Sequence, residues 1–432
     1  VRSSDQHPWT TWAGSVTATP AHVVRPATVE ELQRAVADAT GPVKAVGSGH
    51  SFTPIAVTAG TQVRLDRLTG LVAVDHERRT ATVRAGTTIA ELNRLLDAEG
   101  LALSNLGDID RQTVSGALST GTHGTGATYP GLAAMVVALD LVTADGILLH
   151  LDATTPDELA AARVGLGALG VVAAVTLQCE PSYLLRAVER PAGLDEVLEA
   201  FDEWTSGHDH AELYWFPHTR RVLTKTNDRV PGPARPVGRA RAWIDDELMS
   251  NRVFGGLQRV VAAAPRLAPT VNQVAARALS AREYVDTSHR VFCSQRRVRF
   301  HEMEYAVPRA ALEHVLAEAQ RWLDRTGETV AFPVEVRVAA VDDVWLSTGY
   351  GRPNVYLAFH QYVGRDHTAY FAAVEAVLKD VDGRPHWGKL HTLTAADLQQ
   401  RYPRFDDFLA VRDRFDPDRR FANDHLRRVL GD

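Results

Sequence analysis

Short β-type runs and helical patterns alternate along about the first 180 residues. Ala21-His-Val-Val-Arg-Pro26 reads as a strand, and Thr28-Val-Glu-Glu-Leu-Gln-Arg-Ala-Val36 as a helix with a threonine cap and a glutamate three residues on. Val43-Lys-Ala-Val46 has strand character, Thr82-Val-Arg-Ala-Gly86 looks like a strand end, and a second threonine-started helix runs from Thr88 to Glu99. Asp157-Glu-Leu-Ala-Ala-Ala-Arg163 is helical, and the β-branched run Val171-Val-Ala-Ala-Val-Thr-Leu177 follows as a strand. After Pro181 the texture changes. From about 184 to 395 the strands lengthen and glycine clusters thin out. Residues 230–285 are Pro- and Arg-rich, then Ala-rich, which predicts a peripheral helical insertion with mobile ends. Tyr402 to Leu430 predicts a helical tail broken at Asp416-Pro-Asp418.

Two of the longer strands have distinct faces, because strand side chains alternate with period 2. In Pro333-Val-Glu-Val-Arg-Val-Ala339, Glu335 and Arg337 share one face and Val334, Val336 and Val338 the other. A carboxylate beside a guanidinium suits a polyhydroxylated ligand: one accepts from hydroxyls and the other donates to oxygens. An exposed ion pair on a sheet explains the same pattern. In Asn354-Val-Tyr-Leu-Ala-Phe-His-Gln-Tyr-Val-Gly364, Tyr356, Ala358, His360 and Tyr362 form a face that fits the wall of a sugar-sized pocket. A solvent-facing strand with a lone histidine is the alternative. Arg384-Pro-His-Trp-Gly-Lys-Leu-His391 puts a fixed charge, Lys389, beside a Trp-Gly pair that allows close packing.

Composition sets the outer bounds. A length of 432 residues implies two domains, and 45% hydrophobic with 23% charged residues is the balance of a globular protein. Net charge is a mild −6 and the arginines are scattered, so no basic stripe argues for nucleic acid. Cys179 and Cys293 sit in apolar contexts and are expected as free thiols, with one disulfide left open. No apolar run reaches the roughly 18 residues of a membrane span, no charged-then-apolar leader pattern opens the chain, and no metal-ligand spacing occurs. A cytoplasmic protein is the expectation, with peripheral membrane association left open.

Glycine-rich segments carry the candidate chemistry. In Val43-Lys-Ala-Val-Gly-Ser-Gly-His-Ser-Phe52, Gly47 and Gly49 let the backbone turn sharply and press N–H groups against an anion. His50 is not needed for that task and suggests chemistry. Gln112-Thr-Val-Ser-Gly-Ala-Leu-Ser-Thr-Gly-Thr-His-Gly-Thr-Gly126 can wrap a large, flat, polar ligand with backbone N–H groups and small hydroxyls. Gly165-Leu-Gly-Ala-Leu-Gly170 fits the spacing of a dinucleotide fingerprint, but a helix precedes it and a strand follows, the reverse of what that motif needs.

The G-S-G-H-S turn and the S-G-x-x-x-x-G-T-H-G-T-G run resemble the FAD-binding segments of the vanillyl-alcohol-oxidase superfamily, and Gly167 to Val172 is similar to its G-x-x-G-V-V element. The E-x-R pair and the H-W-x-K element resemble those of FAD-linked aldonolactone and alditol oxidoreductases, of the L-gulono-1,4-lactone and D-arabinono-1,4-lactone oxidase type. That resemblance runs nearly end to end, from Trp9-Thr-Thr-Trp-Ala13 to Phe415-Asp-Pro-Asp-Arg419, and Ser288-His-Arg-Val-Phe292 and Glu302-Met-Glu-Tyr-Ala-Val-Pro308 look like its actinobacterial members. It implies an α+β fold: an FAD-binding domain at 1–183, a sheet-and-helix substrate cap at 184–395, and a C-terminal helical segment, 396–432, returning to the first. It implies FAD held by Gly47, Ser48, Gly49, His50, Ser51, Gly107, Asp108, Ser115, Gly116, Thr120, Gly121, Thr122, His123, Gly124, Val171, Val172 and Lys389, bonded covalently through His50. The implied reaction is oxidation of a secondary hydroxyl of an aldono-1,4-lactone. Glu335 and Arg337 position the substrate, Lys389 holds the flavin's negative charge, and His360 is the candidate base, with His391 behind it. Gly107, in Ser104-Asn-Leu-Gly107, falls where a methyl would shield the flavin, so O2 is the expected acceptor and H2O2 the co-product. Ala358-x-His360 departs from the His-x-Thr of the alditol oxidases. An alditol or sugar oxidase, a lactone dehydrogenase with another acceptor, and a flavin-binding protein without turnover are the alternatives.

Overall fold

The computed structural model describes residues 8–238, 251–278, 280–294 and 296–432. A small parallel sheet comes first, with strand order His22–Val24, Thr61–Arg64, Val43–Val46. The helix Val29–Ala37 packs Leu32 and Val36 beneath it. The cap works as its sequence predicts: the Thr28 hydroxyl accepts from the Glu31 N–H, and the Glu31 carboxylate reaches back to the Ala27 N–H. Beside it lies an antiparallel sheet of order Leu148–Leu151, Val136–Val142, Val171–Gln178, Thr80–Arg84, Leu71–Asp75. Helix Ile89–Ala98, capped by Thr88, and helix Pro156–Arg163 flank it. The glycines between Pro156–Arg163 and Val171–Gln178 turn a helix into a strand, which is the order that excludes a dinucleotide fingerprint.

Residues 184–385 form one eight-stranded antiparallel sheet, in the order Arg282–Thr287, Leu184–Gly193, Arg221–Val230, His210–Trp215, Val334–Ala339, Asn354–Tyr362, Phe300–Pro308, Arg384–Pro385. Val336, Val355, Leu357 and Phe359 pack against helices Leu312–Thr326 and Thr368–Asp380 in the main core. The opposite face is polar and still buried. Register sets Glu212 against Arg337, Tyr214 against Glu335, Glu335 against Ala358, and His360 against Glu302. The alternation read from the sequence thus holds, but neither strand is exposed: every residue of Val334–Ala339 is buried.

The insertion reading is correct for only part of its span. Phe254–Ala263 and Ala268–Ala278 are helices, while Arg282–Thr287 is an edge strand paired with Leu184–Glu189. Tyr284 and Val285 give that stretch strand character which the arginine-rich context hides. The insertion is also anchored, since buried Asn272 donates to the Pro217 and Val330 carbonyls, each at 2.9 Å. Residues 239–250 of this segment lie outside the described residues.

In the tail, helices Phe405–Phe415 and Asp424–Leu430 are separated at Asp416, whose carboxylate accepts from the Arg420 and Phe421 N–H groups. Residues just beyond reach the first sheet. Arg420 donates to the Val36, Ala39 and Ala144 carbonyls, and Asn423 to those of Pro54, Ile55 and Val57. Lys44, on the strand leading to the glycine turn, donates to Gly167 and Phe421 carbonyls at 3.0 and 3.1 Å. Burial pushes its pKa down to about 7, helped by Arg412. Both cysteines are free, and no helix among the described residues is long and apolar enough to cross a membrane.

Candidate active site

A groove and a cleft meet at His50, Ser51, Gln112 and Thr120. The groove is made mostly of backbone and small side chains: Gly47 to Ser51, Ser115, Gly116, Ser119 and Thr120, with Gly167, Gly170 and Val172 opposite. Gly49 turns with φ +73°, and a Cβ on Gly47 would lie 2.4 Å from the Thr113 hydroxyl, so the loop closes only as glycine. The N–H groups of Ser48, Gly49, His50 and Ser51 have no acceptor among the described residues, whereas the Phe52 N–H is taken by the Gly388 carbonyl. Consecutive free amides at a glycine turn are the donor set a pyrophosphate requires, so these residues fit an FAD. His50 stacks on Trp12, with ring centroids 5.7 Å apart. Burial, with Lys389 and Arg111, pushes its pKa down to about 4, so its imidazole is neutral and nucleophilic at pH 7.

The cleft is built from side chains. Thr122, His123, Asp108 and Gly107 line one side, and Glu304, Arg337, His386 and Lys389 the other. Arg337 is held by three carboxylates: Nε donates to Glu212 at 2.9 Å, Nη2 lies 3.6 Å from Asp108, and Nη2 also contacts Glu335. Arg296 pairs with Asp108 from the other side, and Lys225 with Glu212 at 3.2 Å. Burial would push Asp108 and Glu212 up, but the cations beside them more than offset it and hold both well below the usual carboxylate range. Glu335 differs. Burial raises it, Arg337 pulls it back only in part, and Asp108 and Glu212 add to the rise. Its Oε1 touches Arg337 without a well-formed hydrogen bond.

Lys389 is not the lone cation the sequence suggests. Its Nζ lies 2.5 Å from Glu302 and 3.8 Å from Glu304. Trp387, expected in a turn, is fully buried with Nε1 donating to the Leu346 carbonyl, which fixes the backbone that carries Lys389. His386 accepts from the Gly388 N–H through Nδ1 at 3.0 Å, so its neutral ring presents an N–H donor at Nε2. Burial pushes its pKa down to about 4.

Several predicted residues stand elsewhere. His360 does not line the cleft: its Nδ1 lies 3.2 Å from the Pro333 carbonyl, its Nε2 3.6 Å from Glu302, and Phe300 and Phe332 pack on it. It reaches the site only at second hand, through the Phe300 ring that lines the cleft and through Glu302, which contacts Lys389. His391 faces His425 across 6.2 Å, away from the cleft, and is not positioned to be a base. Val171 is in the core with Val36, Val43 and Phe421, while Val172 does reach the groove. Gly121 shapes a turn at φ +74°, and Gly124 packs on Asn105; neither lines the hollows. Gly107 does, but a Cβ there would point at the His123 carbonyl (3.2 Å) and Thr122 Cγ2 (3.3 Å), not into open space. The expected oxygen channel is therefore not a void at that methyl. Sequence reasoning missed the roles of Glu212, Lys225, Arg296, Glu302 and Glu304. Only the last pair had a signal, since Glu302 and Glu304 alternate on a strand as Glu335 and Arg337 do.

No group of His, Cys, Asp and Glu residues among those described could hold a metal. Comparison with known proteins agrees with the geometry. An FAD binding domain model matches residues 20–152, and a D-arabinono-1,4-lactone oxidase model matches residues 175–429. The chain is 42% identical over 429 residues to the L-gulono-1,4-lactone dehydrogenase of Mycobacterium tuberculosis, covering 98% of this chain and 99% of that one. It is 34% identical over 430 residues to the L-gulonolactone oxidase of Bos taurus (97% of each) and 35% identical over 443 residues to an alditol oxidase of Streptomyces sp. (98% of each). Among solved structures, cholesterol oxidase from Brevibacterium sterolicum superposes with a TM-score of 0.82 at 18% identity, covering 99% of this chain and 97% of that one; this is a likeness of fold, the two-domain fold of vanillyl-alcohol-oxidase-type flavoenzymes. With the family model spanning more than half of the chain, this protein belongs to the D-arabinono-1,4-lactone oxidase family of FAD-dependent oxidoreductases.

Proposed function

We propose that this enzyme oxidises a secondary hydroxyl of an aldono-1,4-lactone of the L-gulono, D-arabinono or L-galactono type. The observation that carries this reading is Arg337, a guanidinium at the cleft wall whose carboxylate partners fix its orientation. A rigid donor of that kind suits a lactone carbonyl or ring hydroxyl. Residues 1–183 with 396–432 form the FAD-binding unit, and 184–395 the cap. His50 carries the FAD through its 8α carbon, and the amides of residues 48–51 hold the pyrophosphate. The bound flavin supplies the hydride acceptor at N5. Glu335, buried against Arg337, fixes that guanidinium and so helps position the substrate. Lys389 holds positive charge beside the flavin loop, its backbone tied to Phe52 through Gly388.

Anaerobic mixing with aldonolactones, alditols and aldoses tests the reading: lactones should bleach the flavin fastest. Faster bleaching by xylitol or sorbitol would make this an alditol oxidase instead. Acid-precipitated protein should remain yellow; a colourless pellet would refute the link through His50.

In the first reading the acceptor is O2, giving H2O2. The second is a dehydrogenase with another acceptor. It is favoured by the packing around Gly107 and by the name of the relative at 42% identity. Stopped-flow reoxidation of the reduced enzyme in air-saturated buffer separates the two.

A further inference from the structure

The outer face of the helical insertion combines exposed apolar and cationic side chains. Between Glu247 and Glu283 the sequence holds no acidic residue and five arginines, in a chain whose net charge is −6. Exposed pairs recur every seven residues: Arg252-Val253, Arg259-Val260 and Arg266-Leu267, with Gln273-Val274 in the same phase. Eight large hydrophobic residues are exposed among those described, and four of them are Val253, Val260, Leu267 and Val274. Seven residues make about two helical turns. On Phe254–Ala263 the outer stripe is therefore Arg259, Val260 and Ala263, and on Ala268–Ala278 it is Thr270, Gln273, Val274 and Arg277. The inner stripes are buried: Gly255, Gln258 and Val261 on the first helix, Ala268, Asn272 and Ala276 on the second. Val261 and Ala268 share one cluster with Ala331, and Val271 packs against it. Both helices thus bury the same side of the insertion and leave the other to solvent. Arg259, Arg266 and Arg277 make no ion pair among the described residues.

We propose that this face docks the protein on a bilayer rich in anionic lipid, with Val260, Leu267 and Val274 at the boundary of headgroups and acyl chains and Arg259, Arg266 and Arg277 on lipid phosphates. An exposed apolar patch interleaved with arginines needs a counterpart that is both apolar and anionic. A nucleic acid offers phosphates to the arginines but gives the valines and the leucine nothing to pack on. A bilayer surface meets both demands. The contact is peripheral, since no helix among the described residues is long and apolar enough to cross a membrane and the inner side of the insertion is already held by Asn272. The remainder of the chain is more acidic than the whole, so an anionic surface attracts this face and repels the rest, which sets the orientation of docking. The proposal is indifferent to which sugar is oxidised and to the electron acceptor.

The test is co-sedimentation of the holoenzyme with phosphatidylcholine vesicles made with and without phosphatidylglycerol. Binding should require the anionic lipid and weaken at least about tenfold as salt rises to about 0.5 M, because the attraction of arginine to phosphate is screened. Val260→Ser combined with Leu267→Ser and Val274→Ser should weaken it at least about tenfold, as should Arg259→Gln combined with Arg266→Gln and Arg277→Gln. None of these six side chains lines the groove or the cleft, so both triple variants should keep bound FAD and the wild-type rate of flavin reduction in solution. No binding to anionic vesicles overturns the proposal, as does equal binding to pure phosphatidylcholine or binding that either triple variant leaves unchanged. A wild type that binds duplex DNA but not vesicles would assign the face to nucleic acid instead. A wild-type oligomer that the serine variant dissociates, again without vesicle binding, would assign it to a second copy. If a triple variant does not fold, the lipid and salt dependence of the wild type decides.

Discussion

The groove and the cleft meet at His50, yet they are built from opposite materials. Backbone amides, glycines and hydroxyls line the groove; buried ions line the cleft, where Arg337 sits among Asp108, Glu212 and Glu335, and Lys389 between Glu302 and Glu304. Amides have fixed geometry, carry no net charge and need no partner when a ligand leaves. Buried ions need every partner present, because an uncompensated charge away from water costs far more than a lost contact. The groove should therefore tolerate loss of polar side chains and resist added bulk, while the cleft should do the reverse.

Arg337→Ala breaks the comparison hardest. It strands buried Glu335 and takes one of two cations from Asp108 and Glu212, and should cost about 3–5 kcal/mol of stability, read by denaturant unfolding; a loss under about 1 kcal/mol would mean that water solvates this wall. Glu335→Gln keeps the shape and removes only charge. Anaerobic flavin reduction should slow on the order of 100-fold, about 2.7 kcal/mol, with melting nearly unchanged, and the reverse pattern would make Glu335 a structural ion. In the glycine-rich run behind the hollows, a Cβ on Gly124 would lie 2.2 Å from Asn105 Oδ1 and 2.3 Å from the Leu106 carbonyl. Gly124→Ala should therefore cost about 1–3 kcal/mol through overpacking and weaken FAD retention, whereas Ser115→Ala should do little to either.

A further effect concerns pH. His386 has its folded pKa depressed to about 4, against an ordinary value of about 6.5. The unfolded chain therefore binds the extra proton between these values. The stability this group contributes is full above pH 6.5 and falls with pH by up to about 1.4 kcal/mol per unit until pH 4. His386→Gln should flatten that part of the profile. Asp108, Glu212, Glu302 and Glu304, all depressed, contribute above the ordinary carboxylate range and lose their share only as pH falls through it and below. An unchanged slope between pH 6.5 and 4 in His386→Gln would locate the titration elsewhere.

The same contrast decides what could be read from the sequence. The groove is contiguous: Gly47 to Ser51 is one turn and Ser115 to Thr122 one run, so residue types and spacing were enough. The cleft gathers Asp108, Glu212, Arg296, Glu304, Arg337 and Lys389 from separate segments, and the sequence showed together only what shares a strand. Glu335 and Arg337 were legible for that reason. Glu212 was not, because it meets Arg337 through the register of two strands more than a hundred residues apart. His360 misled because alternation gives the face of a strand but not the depth along it. Its face is the polar one, yet Glu302 and Phe300 stand between it and the cleft. Gly107 misled similarly, since a missing methyl reveals nothing about what would have met it.

The stitches from Arg420, Phe421 and Asn423 to the first sheet have a consequence for synthesis. Lys44, under the glycine turn, waits for a carbonyl 377 positions downstream, and the loop at Pro54 for an amide 369 positions downstream. On the ribosome, the glycine turn is made early and lacks these contacts until nearly all of residues 184–395 have emerged. A nascent chain stalled within residues 184–395 would hold its G-S-G-H-S loop without the contacts that brace it.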